Sequence, residues 1–190
     1  MQLYACETEG SVTGEVILEL MRSDGNITVT VQSGVNLVSR DVNGFSDPYV
    51  VLHVLPDPGA VSTQATKVKK KTLNPKFDEK FIFKNAANVP NALLHVSVWD
   101  WDRFTDDDFM GYTTFDLSKL EEGQRKNVSL PLLPKPAEIK DTDASVVAAS
   151  DSQDTLSAKD KKNKKKEMAI KGRAFVMEMQ AFQAGACTRK

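Results

Sequence analysis

The chain has 190 residues, 41% of them hydrophobic and 27% charged, with a formal net charge of −1. That balance suits one soluble domain with a real core plus room for an insertion, and it excludes a global attraction to nucleic acid. No run of about 18 apolar residues is present, which excludes a membrane-spanning helix. The start, MQLYACETEG, lacks the basic flank and apolar stretch of a signal peptide, and Gln2 stands where N-myristoylation requires glycine. Two cysteines, Cys6 and Cys187, are too few for a disulfide framework and point to a reducing, cytoplasmic setting. The closing CTRK has no aliphatic pair after Cys187 and does not read as a prenylation signal.

Apolar residues recur mostly with a period of two, so the expected elements are strands. In chain order they fall at 14–21, 27–32, 49–55, 66–73, 80–83, 93–99, 112–117 and 127–133. Ile27, Val29 and Val31 share one face of the second, and Ser23-Asp24-Gly25-Asn26 before it is a hairpin turn. Helical signal is weak, with 117–126 giving at most one or two turns. Residues 141 to 158 are nearly all Asp, Ser, Thr, Ala, Val and Gln, and 159–167 holds six lysines, a composition that predicts disorder. RAFVMEMQAF (173–182) then alternates again, with Phe175, Met177, Met179 and Ala181 on one face. Nine segments alternate in all, and the expected fold is an all-β, eight-stranded antiparallel sandwich with a long disordered insertion before its last strand. The expected divisions are an extension at 1–11, a sandwich at 12–133 plus 172–183, an insertion at 134–171 and a tail at 184–190. The inferred topology sends that insertion out from the end opposite the acidic loops described next.

Two acidic stretches sit where strands begin or end. RDVNGFSDPYV (40–50) carries Asp41 and Asp47, and WDWDRFTDDDFMG (99–111) carries five aspartates among large apolar side chains. Two carboxylates about 5 Å apart repel by roughly 3 kcal/mol at an effective dielectric near 20, so such a cluster calls for a hard cation. An oxygen-only donor set without thiolate or imidazole favours calcium over zinc. His53 and His95 lie inside predicted strands and are not expected to be ligands. An EF-hand loop fails, because counting from Asp41 or Asp100 puts Ser46 or Thr105 at the sixth position and Leu52 or Gly111 at the twelfth. A D-x-D phosphotransfer motif at Asp100-Trp101-Asp102 fails too, since Phe104 takes its fifth position and no alternating helices support a parallel sheet. No enzyme is expected.

SDPYV (46–50), TLNPKFDEKFIF (72–83) and VWDWDRF (98–104), in that order, resemble a C2 domain of the synaptotagmin and protein kinase C type. The resemblance implies a Greek-key sandwich in the synaptotagmin strand order, holding two or three calcium ions. It assigns Asp41, Asp47, Asp100, Asp102 and Asp108 as carboxylate ligands, Thr105 as a side-chain oxygen, and Arg40 and Trp101 as backbone carbonyl donors. Asp106 and Asp107 depart from the family pattern and receive no role from it. Seven loop aspartates against Arg40 and Arg103 leave −5 at the tip; two calcium ions bring this to −1 and three to +1. The implied function is calcium-switched, peripheral binding to anionic phospholipid by a monomeric cytoplasmic module.

By the same resemblance Phe104 enters lipid, with Val42 and Phe45 able to do likewise, and Asn43 and Arg103 meet phosphatidylserine. Lys67, Lys69, Lys70 and Lys71, with Tyr49 and Trp99, are expected to form a basic-aromatic face resembling the family's phosphoinositide surface. The competing reading is a calcium-independent module that uses this lysine surface for phosphoinositides or acidic protein partners.

Overall fold

The computed structural model describes residues 13–41, 44–58, 62–103 and 106–134. Eight strands form two four-stranded sheets. Sheet A has the order β5 (Lys76–Phe83), β2 (Asn26–Val35), β1 (Glu15–Ser23), β8 (Arg125–Pro131), and sheet B the order β4 (Thr63–Ala65), β3 (Pro48–Leu55), β6 (Leu93–Asp100), β7 (Asp108–Asp116). Every strand pairing is antiparallel. Only two short 3-10 turns interrupt the described strands and loops, at Ala86–Asn88 and Leu117–Lys119. The expected all-β sandwich is therefore the observed one. All eight strands fall between Glu15 and Pro131, and the expected strand at 173–182 and the insertion before it lie outside the described residues.

The core follows from alternation. Val16, Leu18 and Leu20 of β1 and Ile27, Val29 and Val31 of β2 point inward against Val50, Leu52, Val54, Leu94, Val96 and Val98 of sheet B. Side chains of period two must do this when one sheet face meets another. The hairpin turn is as expected, with positive φ at Asp24 and Gly25 joining β1 to β2.

A bulge in β7 shapes the end of sheet B. Val98 pairs with Gly111 and Trp99 with Phe109, leaving Met110 as an extra residue. Inward positions accordingly change parity, from Met110 to Thr113 and Phe115. Phe109 is thereby turned outward, against the edge of Trp99 at 5.2 Å between centroids.

The segment 66–73 is not a strand, which corrects the sequence expectation. β4 ends at Ala65, and Lys71 has φ +53. Beyond β4 the backbone meets β3 only at Thr66 N to Val50 O and Lys69 N to Pro48 O, both 2.9 Å. The lysines therefore do not project together from one pleated face.

The chain's exit also differs from the expectation. Glu15 is paired with both Val35 and Pro131, so the start of β1 and the ends of β2 and β8 lie together. β2 leads directly into the first acidic loop. Leu133 then bonds Tyr112 of β7 in both directions, at 2.9 and 2.8 Å. Residue 134 thus leaves the sandwich at the acidic-loop end, not opposite it.

Candidate functional site

β3 begins, β6 ends and β7 begins at one edge of sheet B, because Pro48 pairs with Asp100 and Asp100 with Asp108. This register brings Asp47, Asp100 and Asp108 from three strand ends to one place. The first loop is stitched to itself there. Asp41 N donates to Phe45 O, Gly44 N to Asp41 O, and Arg40 N to the Ser46 hydroxyl. It is also stitched to the third loop, since Asp47 N donates to Asp100 Oδ1 at 2.6 Å and Trp101 N to Asp47 O at 3.0 Å. The two acidic stretches that lie far apart in sequence are one site.

Asp100 is the central carboxylate and is 2% exposed. Its Oδ1 is satisfied by the Asp47 amide, but among the described residues its buried Oδ2 has no hydrogen-bond partner. Burial pushes its pKa up despite the Asp47 amide and the Ser46 hydroxyl, and Asp41 and Asp102 add like-charge repulsion in the same direction. A buried carboxylate oxygen with neighbouring negative charge and no donor is costly unless a cation meets it. Among the described residues, no group of three or more His, Cys, Asp or Glu side chains is arranged to hold a metal ion. The donors present are all oxygens, and a buried carboxylate oxygen such as Asp100 Oδ2 is the kind of group that suits a hard cation.

Asp47 accepts the Lys71 amide on Oδ1 at 2.7 Å and faces the Lys70 ammonium at 3.7 Å. That ammonium also lies 4.8 Å from the centroid of the Trp101 ring. Lys70 is therefore part of the acidic end and not of a separate basic face. Lys67 and Lys71 are exposed, and Lys69 is half-buried.

The expected exposure of Tyr49 is also corrected. It does point away from the main core, as alternation requires, but it is 0% exposed. It forms a second apolar cluster with Val51 and Ala65, against which Val68, Trp99 and Trp101 pack. Trp99 is half-buried and donates its indole N–H to Ser97 Oγ at 3.0 Å. His53 and His95 are buried cross-strand partners on the same side, and burial with the neighbouring His53 lowers the His95 pKa to about 4. Both are sheet residues, as their strand positions suggested, and His95 is neutral at physiological pH.

Phe45 is 48% exposed at the tip of the first loop. Arg103, in the third loop, is exposed as well. Val42, Asn43, Phe104 and Thr105 lie outside the described residues. Sequence reasoning missed the role of Asp107. The buried Tyr49 hydroxyl donates to its Oδ2 at 2.8 Å, and the Asp102 amide donates to its Oδ1 at 3.2 Å.

A sandwich of this strand order with acidic loops at one end defines a class, and comparison with known proteins agrees. The C2 domain model matches residues 25–132, more than half of the chain, and the chain belongs to the C2 domain family. It is 37% identical over 111 residues to the eye isozyme of protein kinase C from Drosophila melanogaster, covering 58% of this chain and 16% of that protein. It is 40% identical over 119 residues to synaptotagmin-1 of Caenorhabditis elegans, covering 60% of this chain and 26% of that protein. The third C2 domain of the KIAA1228 protein, known from a solution structure, superposes with a TM-score of 0.59 at 28% identity, covering 71% of this chain and 98% of that one. The chain thus corresponds to about a quarter or less of the length of these two curated relatives.

Proposed function

We propose that this C2 domain binds anionic phospholipid membranes through its acidic end when calcium is present. The observation that carries the reading is Asp100, a buried central carboxylate with one orphaned oxygen and carboxylates on either side. C2 domains commonly bind phospholipids, which makes the membrane the natural partner. Among the described residues no helix is long and apolar enough to cross a membrane, so peripheral association is the mode proposed.

Asp41, Asp47, Asp100, Asp102 and Asp108 would hold the ions, with Thr105 and the carbonyls of Arg40 and Trp101 completing the oxygen donors. Bound calcium would supply positive charge that offsets the tip's −5 and would favour approach to anionic lipid phosphate. Phe45 then enters the bilayer from the first loop, and Val42 and Phe104 are proposed to join it. Each such side chain contributes roughly 1.5–3 kcal/mol on full transfer, too little for stable anchoring alone. Asn43 and Arg103 are proposed to contact the serine headgroup. The combination gives reversible attachment of a domain that acts by binding.

Vesicles rich in phosphatidylserine are expected to sediment the protein in calcium and release it into chelator. Equal sedimentation in both conditions would overturn the switch and favour a calcium-independent module using Lys67, Lys69 and Lys71.

Lys70 provides a second, smaller test. Its ammonium competes with calcium for Asp47, and an exposed ion pair of this kind contributes about 0.2–1 kcal/mol. Lys70→Gln is therefore expected to tighten calcium binding in solution by up to about fivefold. The same change removes a positive charge worth about 1 kcal/mol near an anionic surface, so vesicle binding at saturating calcium should weaken. Isothermal calorimetry and vesicle titration should move in opposite directions; movement together would separate Lys70 from the site.

A further inference from the structure

Both carboxylate oxygens of Asp107 accept a hydrogen bond from another part of the protein. Oδ2 takes the Tyr49 hydroxyl and Oδ1 takes the Asp102 amide. Tyr49 belongs to the start of β3 and is fully buried in the cluster with Val51 and Ala65. Asp102 is a proposed ligand in the third loop. The carboxylate therefore spans two separate parts of the molecule, the outer side of sheet B and the loop backbone.

We propose that Asp107 is a positioning residue, a clasp that ties the third loop to the buried Tyr49 hydroxyl and so sets the cation affinity of the acidic end without serving as a ligand. This inference rests on the calcium reading above and assigns a residue that the family pattern left without a role. Burial and the facing Asp107 carboxylate push the Tyr49 phenol pKa up, so the phenol stays a proton donor throughout the physiological range. A hydroxyl donating to a carboxylate is a charge-assisted bond, stronger than one between neutral groups.

The clasp also closes a short ring in the chain. Asp107 Oδ1 reaches back to the amide of Asp102, pinning both ends of the segment that carries Arg103. Holding that backbone before the cation arrives removes part of the ordering cost of binding. It also keeps the Asp107 charge turned toward Tyr49. If Asp107 were instead a ligand, the Tyr49 hydroxyl would compete with the cation for Oδ2. The two roles therefore predict opposite signs when that hydroxyl is deleted.

Tyr49→Phe keeps the packed ring and removes only the donor. As a clasp partner, it should weaken calcium binding about fivefold by calorimetry, and Asp107→Ala should weaken it by a similar factor. The double variant should bind no more weakly than Asp107→Ala alone, because that variant already lacks the bond that Tyr49→Phe deletes. Unchanged or tighter binding in Tyr49→Phe would overturn the proposal, as would additive losses in the double variant. A second readout needs no metal. In chelator, amide exchange at Asp102 should speed up about tenfold in both single variants; unchanged exchange would also overturn the clasp. Should the unmodified protein take up no calcium, the proposed function falls, and with it the affinity role of Asp107, while the exchange data still decide whether the clasp exists.

Discussion

Asp100→Asn is expected to abolish calcium-dependent vesicle binding while making the calcium-free protein more stable. Asp102→Asn should abolish recruitment as well, but with a smaller effect on stability, because Asp102 is only half-buried. The reasoning for Asp100 is electrostatic. Its Oδ2 is buried without a donor, and Asp41 and Asp102 repel its charge. Removing the charge while keeping the shape should stabilise the calcium-free fold by about 1–2 kcal/mol. For a domain of this size that raises the thermal midpoint by several degrees. Unchanged recruitment would show that the ligands are misassigned, and a lower midpoint would show that the Asp100 charge is already compensated.

The pH dependence gives the same test a sign. The folded-state pKa of Asp100 is raised, so the native protein holds this proton more tightly than the unfolded chain. Stability from this group therefore rises as pH falls through the raised value toward the ordinary 3.8, and the penalty is fully present above it. His95 acts oppositely. Its pKa is lowered to about 4, so its neutral burial destabilises the fold as pH drops below the ordinary 6.5. Comparing unmodified protein with Asp100→Asn cancels the histidine. Their difference in chelator should be largest near neutrality and shrink toward about pH 4.

Gly111→Ala is the second large effect, a loss of about 3 kcal/mol in the urea unfolding free energy with an unchanged slope. Gly111 has φ +154, and a Cβ there would lie 2.4 Å from Thr13 Oγ1 and 2.9 Å from Leu132 Cβ. The Leu132 backbone cannot easily yield, because Thr13 N bonds Leu132 O and Leu132 N bonds Gly14 O. Gly111 also follows the bulge residue Met110, so added bulk strains the turn in register that aims Phe109 and Asp108. A loss below about 1 kcal/mol would show that the strand shifts freely and that this close approach is not required.

Much of this architecture was legible in the sequence because the relevant alternation is uninterrupted. β1, β3 and β6, and β2 as far as Val31, carry inward residues at every second position, and the expected spans of β1, β3 and β6 nearly coincide with the observed ones. Bulges hid the rest. β5 begins at Lys76, but Asp78 has φ +52 beside a register shift against β2, so only 80–83 showed a period. β7 begins at Asp108, but Met110 switches its parity, and only the part after Gly111 read as a strand. The lysine stretch 66–73 alternates convincingly, yet alternation does not say where amides bond. Those of Lys67 and Lys71 go to Glu79 and Asp47 carboxylates.

The candidate site divided in the same way. The resemblance, not spacing alone, marked Asp41, Asp47, Asp100, Asp102 and Asp108 as ligands, and strand ends bring Asp47, Asp100 and Asp108 together. What spacing could not reveal was which side chains turn back into the protein. Tyr49 alternates outward as expected, but period two reports the side of a sheet, not what covers it. Lys70 and Asp107 owe their positions to contacts across loops, at Trp101 and Tyr49, that no local pattern encodes.

The exit beside Tyr112 gives the sandwich a single doorway. Thr13 and Leu132 are bonded neighbours, so the chain enters and leaves this unit side by side, next to the loops that carry the aspartates. A C2 unit threaded this way resembles a lantern hung from its lit end. Segments attached through either strand terminus start their path at the acidic face, and any charge in them begins on the aspartates' side of the balance. Flanking sequence thereby becomes part of the domain's electrical surroundings, and trimming it is expected to alter the field at the site even where no side chain of the sandwich changes.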